Sequence, residues 1–161
     1  MLKKLFTSVL VAGIFSVITS SVMGVPKTVE PFDEKIWSGL LTEAGKPAII
    51  IFSSLQCTHC PGLIDKISAR IQLTKSATRL YVVSIDGNDD TAAELIEDAH
   101  YMKAHRLFIF AGSGQKIQYA VNVDWRGMTP YVAYLGGKGK VEFILGEPKE
   151  AMLRRWLLGA P

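Results

Sequence analysis

"AIIIFSSLQCTHCPGLIDKI", residues 48–67, contains both cysteines of this 161-residue chain, Cys57 and Cys60. The apolar, β-branched run at 48–52 predicts a strand that is buried on both faces. The residues after the second cysteine have helical spacing, and their apolar side is formed by Leu63, Ile64, Ile67 and Ile71. The stretch therefore predicts a buried strand that leads into a helix, with the two thiols at the junction.

A structural cross-link, a metal site and a redox couple are the three roles open to such a pair. A cross-link over two intervening residues contributes little, because the entropy gained grows with loop length. A redox couple suits the position better. Cys57 is expected at the helix N-terminus, where unpaired N–H groups and the helix dipole stabilise a thiolate. Cys60 lies one turn on and can close a disulfide, and Pro61 is tolerated because the first turn does not need its N–H.

The rest of the chain predicts alternating helices and strands. Helices are expected within 33–47, 91–105, 114–123 and 148–158, the last with Pro148 in its first turn, and strands at 79–86, 107–110, 131–135 and 140–145. The early strand–helix–strand order requires a right-handed crossover and a parallel pair, whereas the last two strands form a hairpin. We therefore expect a single α/β domain at residues 25–161, with a mixed sheet and helices on both faces.

The N-terminus resembles an export signal. Lys3 and Lys4 precede an uncharged apolar run that ends in small residues, which predicts a signal peptide at 1–24. An uncleaved membrane anchor at 5–25 is the alternative, since that run is just long enough to span a bilayer. Both interpretations place the remaining chain outside the cytoplasm, in the periplasm or an equivalent compartment, where disulfides persist. The chain contacts a membrane only if this segment is retained.

Composition gives no support for a nucleic-acid partner or for disorder. The formal net charge is +3, and without the two leader lysines the chain has sixteen basic against fifteen acidic residues. Nothing in this balance indicates a nucleic-acid partner. Apolar residues make up 48% of the chain, which argues against disorder.

Three motifs together resemble a known family. They are "CTHC" after a buried strand, "GMTPYVAYL" at 127–135 and "GKGKVEFILGEP" at 137–148. Over roughly residues 33–158 the chain resembles the thioredoxin-like oxidoreductases, most closely the extracytoplasmic branch that includes membrane-anchored reductases of cytochrome maturation. The resemblance implies a three-layer thioredoxin-like fold. It also implies a cis bond between Thr129 and Pro130, which would face the disulfide and bind clients.

The resemblance also implies an activity and its partners. The expected activity is disulfide exchange with protein thiols and disulfides, in which Cys57 attacks and Cys60 resolves the mixed disulfide. No cofactor is required, and a membrane or periplasmic redox partner is expected. A non-catalytic module that binds clients is the alternative within the same fold.

The chain departs from the family at several positions near the cysteines. Gln56 stands where many members have tryptophan, and Ile51 where many have a buried acid that moves the second thiol's proton. The intervening Thr58 and His59 are expected to tune the couple, and His59 resembles the centre of strongly oxidising periplasmic enzymes. The overall resemblance favours a reductase, whereas the Thr58–His59 dipeptide favours an oxidant. The direction of exchange therefore stays open.

Metal binding is the main alternative from another class. Two thiols with His59 could carry Cu(I), because thiolates suit that ion. His100 and His105 are too far along the chain from Cys60 for a zinc-finger spacing, and they are expected to be surface residues. We therefore predict no metal site.

Two further patterns have ordinary structural explanations. Asp86, Asn88, Asp90 and Glu97 match positions of a calcium loop, but the sixth place is Thr91 and a strand precedes the loop. A strand-to-helix turn capped by Asp89 or Asp90 accounts for the same residues. The tryptophans Trp37, Trp125 and Trp156 are expected in the core. Trp125, with Arg126, is additionally expected to border the client groove, since both lead directly to Pro130.

Overall fold

A computed structural model describes residues 26, 28–43, 47–136 and 140–159. The expected signal peptide or anchor lies outside these residues, as does the centre of the hairpin turn after residue 136. The division of the chain into a leader and one domain therefore stays a prediction. Within the described ranges, no helix has the length and apolarity that a membrane crossing requires.

The described chain contains six strands and five α-helices. Their bounds are β1 Val29–Phe32, α1 Glu34–Thr42, β2 Ala48–Ser53, α2 Cys60–Thr74, β3 Arg79–Ser84, α3 Asp89–Glu97, β4 Arg106–Phe110, α4 Gly114–Val121, β5 Tyr131–Gly136, β6 Lys140–Leu145 and α5 Glu150–Leu158. A 3₁₀ turn, Tyr101–Lys103, lies between α3 and β4. The strands form one mixed sheet in the order β1-β4-β3-β2-β5-β6. The predicted α/β class and mixed sheet are confirmed.

The central strand β2 connects the parallel and antiparallel halves of the sheet. It pairs in parallel with β3 and antiparallel with β5. Its last residue Ser53 pairs with Ser84, and the preceding Phe52 pairs with Tyr131. An antiparallel neighbour begins where β2 ends. The segments after β2, after β3 and before β5 therefore all lie at the same end of these strands.

Side chains of the sheet alternate between two hydrophobic cores, one on each face. One core contains Ile49, Ile51, Val82 and Leu107 of the sheet with Leu63, Ile64, Ile67 and Ile71 of α2 and Leu153 and Trp156 of α5. The other contains Ile50, Phe52, Val83 and Phe108 with Trp37 and Leu40 of α1 and Ile117 and Val121 of α4. The predicted helices on both faces are therefore confirmed.

Strand β1 is not anticipated by the sequence. It is short and contains Pro31, which lacks a backbone N–H and so disfavours a strand assignment. It lies at the edge of the sheet and pairs in parallel with β4. Arg106 of β4 anchors it with a bidentate ion pair to Glu30, at 2.6 and 2.8 Å, while its guanidinium lies 4.6 Å from the centroid of the Phe108 ring. The strand thus depends on a partner far along the chain.

The single helix expected at 91–105 is wrong beyond α3. Asp98 ends the helix, because its carboxylate accepts the backbone N–H groups of His100 and Tyr101 and starts a separate 3₁₀ turn. A continuous helix over 91–105 is expected to place Ala99 and Met102 on its apolar side with Leu95 and Ile96. The break at Asp98 buries Tyr101 instead, and both Ala99 and Met102 are exposed, Met102 to 38%.

Two helix starts also differ from expectation. Helix α3 is capped by Asn88 instead of Asp89 or Asp90, since the Asn88 side chain accepts the Thr91 N–H and the Thr91 hydroxyl accepts the Asn88 N–H. Helix α5 begins after Lys149, so Pro148 precedes the first turn. The bonds between Asn88 and Thr91 form a capping box at the turn between β3 and α3.

His105 joins the beginnings of β3 and β4. Its Nδ1 accepts the Leu80 backbone N–H at 3.0 Å, and its own backbone N–H donates to the Leu80 carbonyl at 2.7 Å. Burial lowers the pKa of His105, and the nearby Arg79 lowers it further. The folded state therefore favours the neutral ring.

We predict that the free energy of unfolding decreases as pH falls through the ordinary histidine pKa of about 6.5. The unfolded chain binds a proton at His105 there while the folded chain resists it, so the slope of stability against pH is positive in that window. Urea unfolding at pH 7.5, 6.5 and 5.5 measures this slope. His105→Asn, whose amide oxygen can accept the same N–H, should flatten it. An identical slope in both proteins would contradict the assignment to His105.

Candidate active site

The two cysteines lie where the loop after β2 enters α2. Cys57 is expected to begin the helix, but the helix begins at Cys60. A turn closed by the Cys57 N–H, which donates to the Ser54 carbonyl at 3.0 Å, keeps Cys57 outside the helix. The Cys60 N–H in turn donates to the Cys57 carbonyl at 3.2 Å, so Cys57 remains directly in front of the helix N-terminus. Pro61 occupies the first turn, as expected.

Cys57 and Cys60 form a disulfide, with their Cα atoms 5.4 Å apart. Cys60 is fully buried, whereas Cys57 is partly exposed. A partner molecule approaching from solvent therefore meets Cys57 first. The bond also occupies both sulfurs, so neither is available as a thiolate ligand in this oxidised state.

The residues around the pair divide into an exposed and a buried group. Gln56, Thr58 and His59 are exposed. His59 occupies the N-cap position of α2 without a side-chain hydrogen bond to the helix. Ile51, at the position where the family resemblance implies an acid, is fully buried in the core beneath α2.

The loop before β5 faces the loop between β2 and α2, residues 54–59, which we call the cysteine loop. The Thr129 hydroxyl donates to the Ser54 hydroxyl oxygen at 3.5 Å, which joins the two loops. The Thr129–Pro130 peptide bond is cis. Pro130 is buried, and its carbonyl accepts the Gly146 N–H at 2.8 Å. The structure thus brings together the two motifs that the sequence placed about seventy residues apart.

Trp125 lies beneath this loop. It is only 5% exposed, and its ring stacks on Tyr131 with centroids 4.7 Å apart and lies 4.8 Å from Phe52. Its indole N–H donates to the Met128 carbonyl at 2.9 Å. Trp125 therefore supports the loop from below, while Arg126 beside it is exposed.

Two exposed apolar side chains near the disulfide are not singled out by the sequence. Leu55 is 41% exposed on the cysteine loop, and Met128 is 55% exposed on the facing loop. Isolated apolar residues in loops give no periodic signal. Their significance becomes evident only because Thr129 and Ser54 join the two loops.

A buried hydrogen bond fixes the end of β2 just before the cysteine loop. The Tyr101 hydroxyl lies 2.8 Å from the Ser53 hydroxyl oxygen, and both side chains are buried. Burial raises the pKa of Tyr101, although its bond to Ser53 opposes that shift, so the phenol stays protonated at neutral pH. The sequence gives no sign of this contact because Tyr101 comes from the unexpected 3₁₀ turn.

The remaining histidines lie in other interactions. His100 Nδ1 is 3.0 Å from the Asp65 carboxylate, which Lys103 also contacts at 2.7 Å. His105 is half-buried against Leu80, so the expectation of a surface residue is wrong for this side chain. In the part of the chain that the structure describes, no three histidine, cysteine or acidic side chains are grouped to hold a metal ion.

The architecture is similar to that of several solved structures. A Chlorobium tepidum thiol:disulfide interchange protein of the thioredoxin family has a TM-score of 0.56 at 17% identity, over 76% of this chain and 83% of that one. A Porphyromonas gingivalis thioredoxin-like protein gives 0.52 at 23% identity, over 74% and 80%. A secreted Mycobacterium tuberculosis disulfide oxidoreductase gives 0.52 at 17% identity, over 73% and 84%. The fold is thioredoxin-like. No protein-family model and no curated protein matches the chain.

We predict that Tyr101→Phe lowers the free energy of unfolding by about 1–2 kcal/mol, since it removes the buried partner of the Ser53 hydroxyl. Tyr119→Phe is the matched control because Tyr119 is 69% exposed, and it should change stability by less than about 0.5 kcal/mol. Denaturant unfolding measures both.

The double variant Tyr101→Phe/Ser53→Ala then tests whether the pair is coupled. It should lose less than the sum of the two single variants, by at least about 0.5 kcal/mol, because no hydroxyl is left unpaired. Additive losses would show that the two hydroxyls contribute independently.

Proposed function

We propose that this protein exchanges disulfides with protein clients through the Cys57–Cys60 couple. The observation that carries the proposal is the asymmetry of the pair: one sulfur belongs to a partly exposed residue before a helix, the other to a fully buried residue. The thioredoxin-like fold supports it, since solved proteins described as disulfide oxidoreductases share this architecture. The fold alone does not specify an activity.

In the reducing direction, the Cys57 thiolate attacks one sulfur of a client disulfide. A mixed disulfide forms, and the other client sulfur leaves as a thiolate that takes up a proton from water. The Cys60 thiol then loses its proton, and its sulfur attacks Cys57, which restores the intramolecular disulfide and releases the second client thiolate. Two electrons pass from the cysteine pair to the client. In the oxidising direction the same steps run in reverse, and the relative reduction potentials of the partners decide between the two.

Local electrostatics favours Cys57 as the attacking group. The dipole of α2 has its positive end next to Cys57 and stabilises negative charge on the Cys57 sulfur. Thr58 and His59 lie between the cysteines and are exposed, so they act as tuning residues from the solvent side. A protonated His59 beside the thiolate stabilises the reduced form and raises the reduction potential.

Cys60 has no carboxylate at the position where a base is common in the resembled family. Ile51 occupies it and is completely buried among apolar side chains. The proton of Cys60 therefore leaves through water or another group, which slows the attack of Cys60 on the mixed disulfide.

Client recognition is proposed at the two joined loops. The backbone of Thr129, before the cis bond to Pro130, offers polar groups with which an extended client segment can pair, as an added strand would. The exposed side chains of Leu55 and Met128 supply apolar contacts on either side. Trp125 contributes indirectly, because its indole N–H and stacked ring hold the loop in place.

An extracytoplasmic location is part of the proposal. The basic start and uncharged run at 1–24 are typical of an export signal, with an anchor at 5–25 as the alternative. A disulfide couple also functions in compartments that allow thiols to oxidise. The proposed partners there are protein thiols and disulfides, together with a membrane or periplasmic protein that resets the couple.

We predict that Cys60→Ser accumulates client proteins as mixed disulfides through Cys57, since the resolving sulfur is absent. Cys57→Ser should trap almost none, because Cys60 is fully buried. Non-reducing electrophoresis after alkylation, with mass spectrometry of the adducts, measures both. Equal trapping by the two variants would refute the assignment of roles.

Thiol counting separates this function from copper carriage. The isolated wild-type protein should yield two titratable thiols only after reduction and should contain no stoichiometric metal. Two free thiols with one bound copper per chain would favour the carrier instead.

We also predict that His59→Ala lowers the reduction potential, because it removes a group that stabilises the thiolate. A tenfold change in the equilibrium with glutathione corresponds to about 30 mV for this two-electron couple. Thr58→Ala is a neighbouring control without a titratable group and should shift the equilibrium less. An unchanged or higher potential in His59→Ala would show that the imidazole points away from the sulfur.

A further inference from the structure

The cysteine loop is held from outside by an aspartate that follows β3. The Leu55 backbone N–H donates to both carboxylate oxygens of Asp86, at 2.9 Å to Oδ1 and 3.2 Å to Oδ2. Leu55 lies inside the turn that the Cys57 N–H closes on the Ser54 carbonyl. The carboxylate therefore anchors the middle of the segment that places Cys57.

The structure holds Asp86 itself in a fixed position. The Ser84 hydroxyl, fully buried at the end of β3, donates to Asp86 Oδ1 at 3.3 Å. The Ile85 N–H donates to the Ser53 carbonyl at 2.8 Å, which joins this turn to the end of β2. A Cβ atom at Gly87 would lie 2.8 Å from Ile109 Cγ2 and 3.0 Å from Ser84 Oγ, so the turn is packed too closely for a side chain there.

We infer that Asp86 is a positioning residue for the redox couple. By fixing Leu55 it holds the Cys57 sulfur within reach of Cys60, which raises the effective concentration of one thiol toward the other when the disulfide closes. The inference rests on the proposed function, but it concerns the cysteine pair itself and not the clients. It also assigns a role to Asp86, for which the sequence pattern predicts only a strand-to-helix turn that resembles a calcium loop.

Asp86 acts through its hydrogen bonds and not through its charge. The residue is exposed, so water and salt screen its charge at the sulfur. A backbone N–H bonded to an ionised carboxylate is a strong, directional contact. The two contributions are separable, because Asp86→Asn removes the charge but keeps an acceptor oxygen, whereas Asp86→Ala removes both.

The test is the equilibrium of each purified protein with reduced and oxidised glutathione. In this reaction the Cys57–Cys60 disulfide takes two electrons from two glutathione thiols, giving two protein thiols and one glutathione disulfide. Wild type, Asp86→Ala, Asp86→Asn and Asp90→Ala are compared. Asp90→Ala is the matched control, since Asp90 is also exposed but lies in the first turn of α3, past the Asn88 cap.

Asp86→Ala should shift the equilibrium toward the dithiol by about tenfold, or about 30 mV. Asp86→Asn should shift it by less than about threefold, and Asp90→Ala should match wild type. In the oxidised proteins, the Leu55 amide should exchange its hydrogen faster in Asp86→Ala than in Asp86→Asn. Thermal unfolding of every variant shows whether the fold is retained. If Asp86→Ala does not fold, Ser84→Ala, which removes only the bond that orients the carboxylate, replaces it with a smaller shift in the same direction.

Two outcomes would overturn the inference. An Asp86→Ala protein with the wild-type equilibrium would show that the anchor does not hold Cys57. Equal shifts in Asp86→Ala and Asp86→Asn would assign the effect to charge. Neither outcome depends on clients: a Cys60→Ser variant that fails to trap proteins would refute the proposed function, while the glutathione equilibrium of the intact cysteine pair would still report on the anchor.

Discussion

The site depends on the pairing of β2 with one parallel and one antiparallel neighbour. All six residues of this strand are buried, so its register is set by packing on both faces and cannot slip. Since β3 is parallel to β2 and β5 is antiparallel to it, three segments from distant parts of the chain meet at one end of these strands. They carry the cysteines, Asp86 and Pro130. A shift in either pairing would separate the disulfide from the loops that surround it.

The site combines buried residues that belong to the core with exposed residues at the surface. Ile51, Ser53 and Cys60 are completely buried and continuous with the core, so changes there alter the stability of the whole domain. Gln56 and His59 are exposed and make few structural contacts. Substitutions at the exposed residues can therefore change redox properties and partner choice with little loss of stability. The buried residues preserve the geometry of the cysteine pair.

The sequence predicts those features that depend on local pattern. The apolar run of β2, the helical spacing after Cys60 and the hairpin before α5 are continuous signals, and each element is found close to its expected bounds. Two of the features that it misses depend on distant partners. The strand at Val29–Phe32 exists because β4 and the Glu30–Arg106 pair stabilise it. The anchoring of Leu55 by Asp86 joins a backbone N–H to an acid 31 residues away, and neither residue is unusual where it stands.

The edge position of β1 affects the order in which the domain folds. Val29 pairs with Leu107, on the far side of α1, β2, α2, β3 and α3 in the chain. During synthesis β1 therefore emerges first, yet it has no partner until β4 has been made, because the closure of so long a loop must precede the contact. The nascent domain consequently exposes the unpaired β1 until β4 has been made.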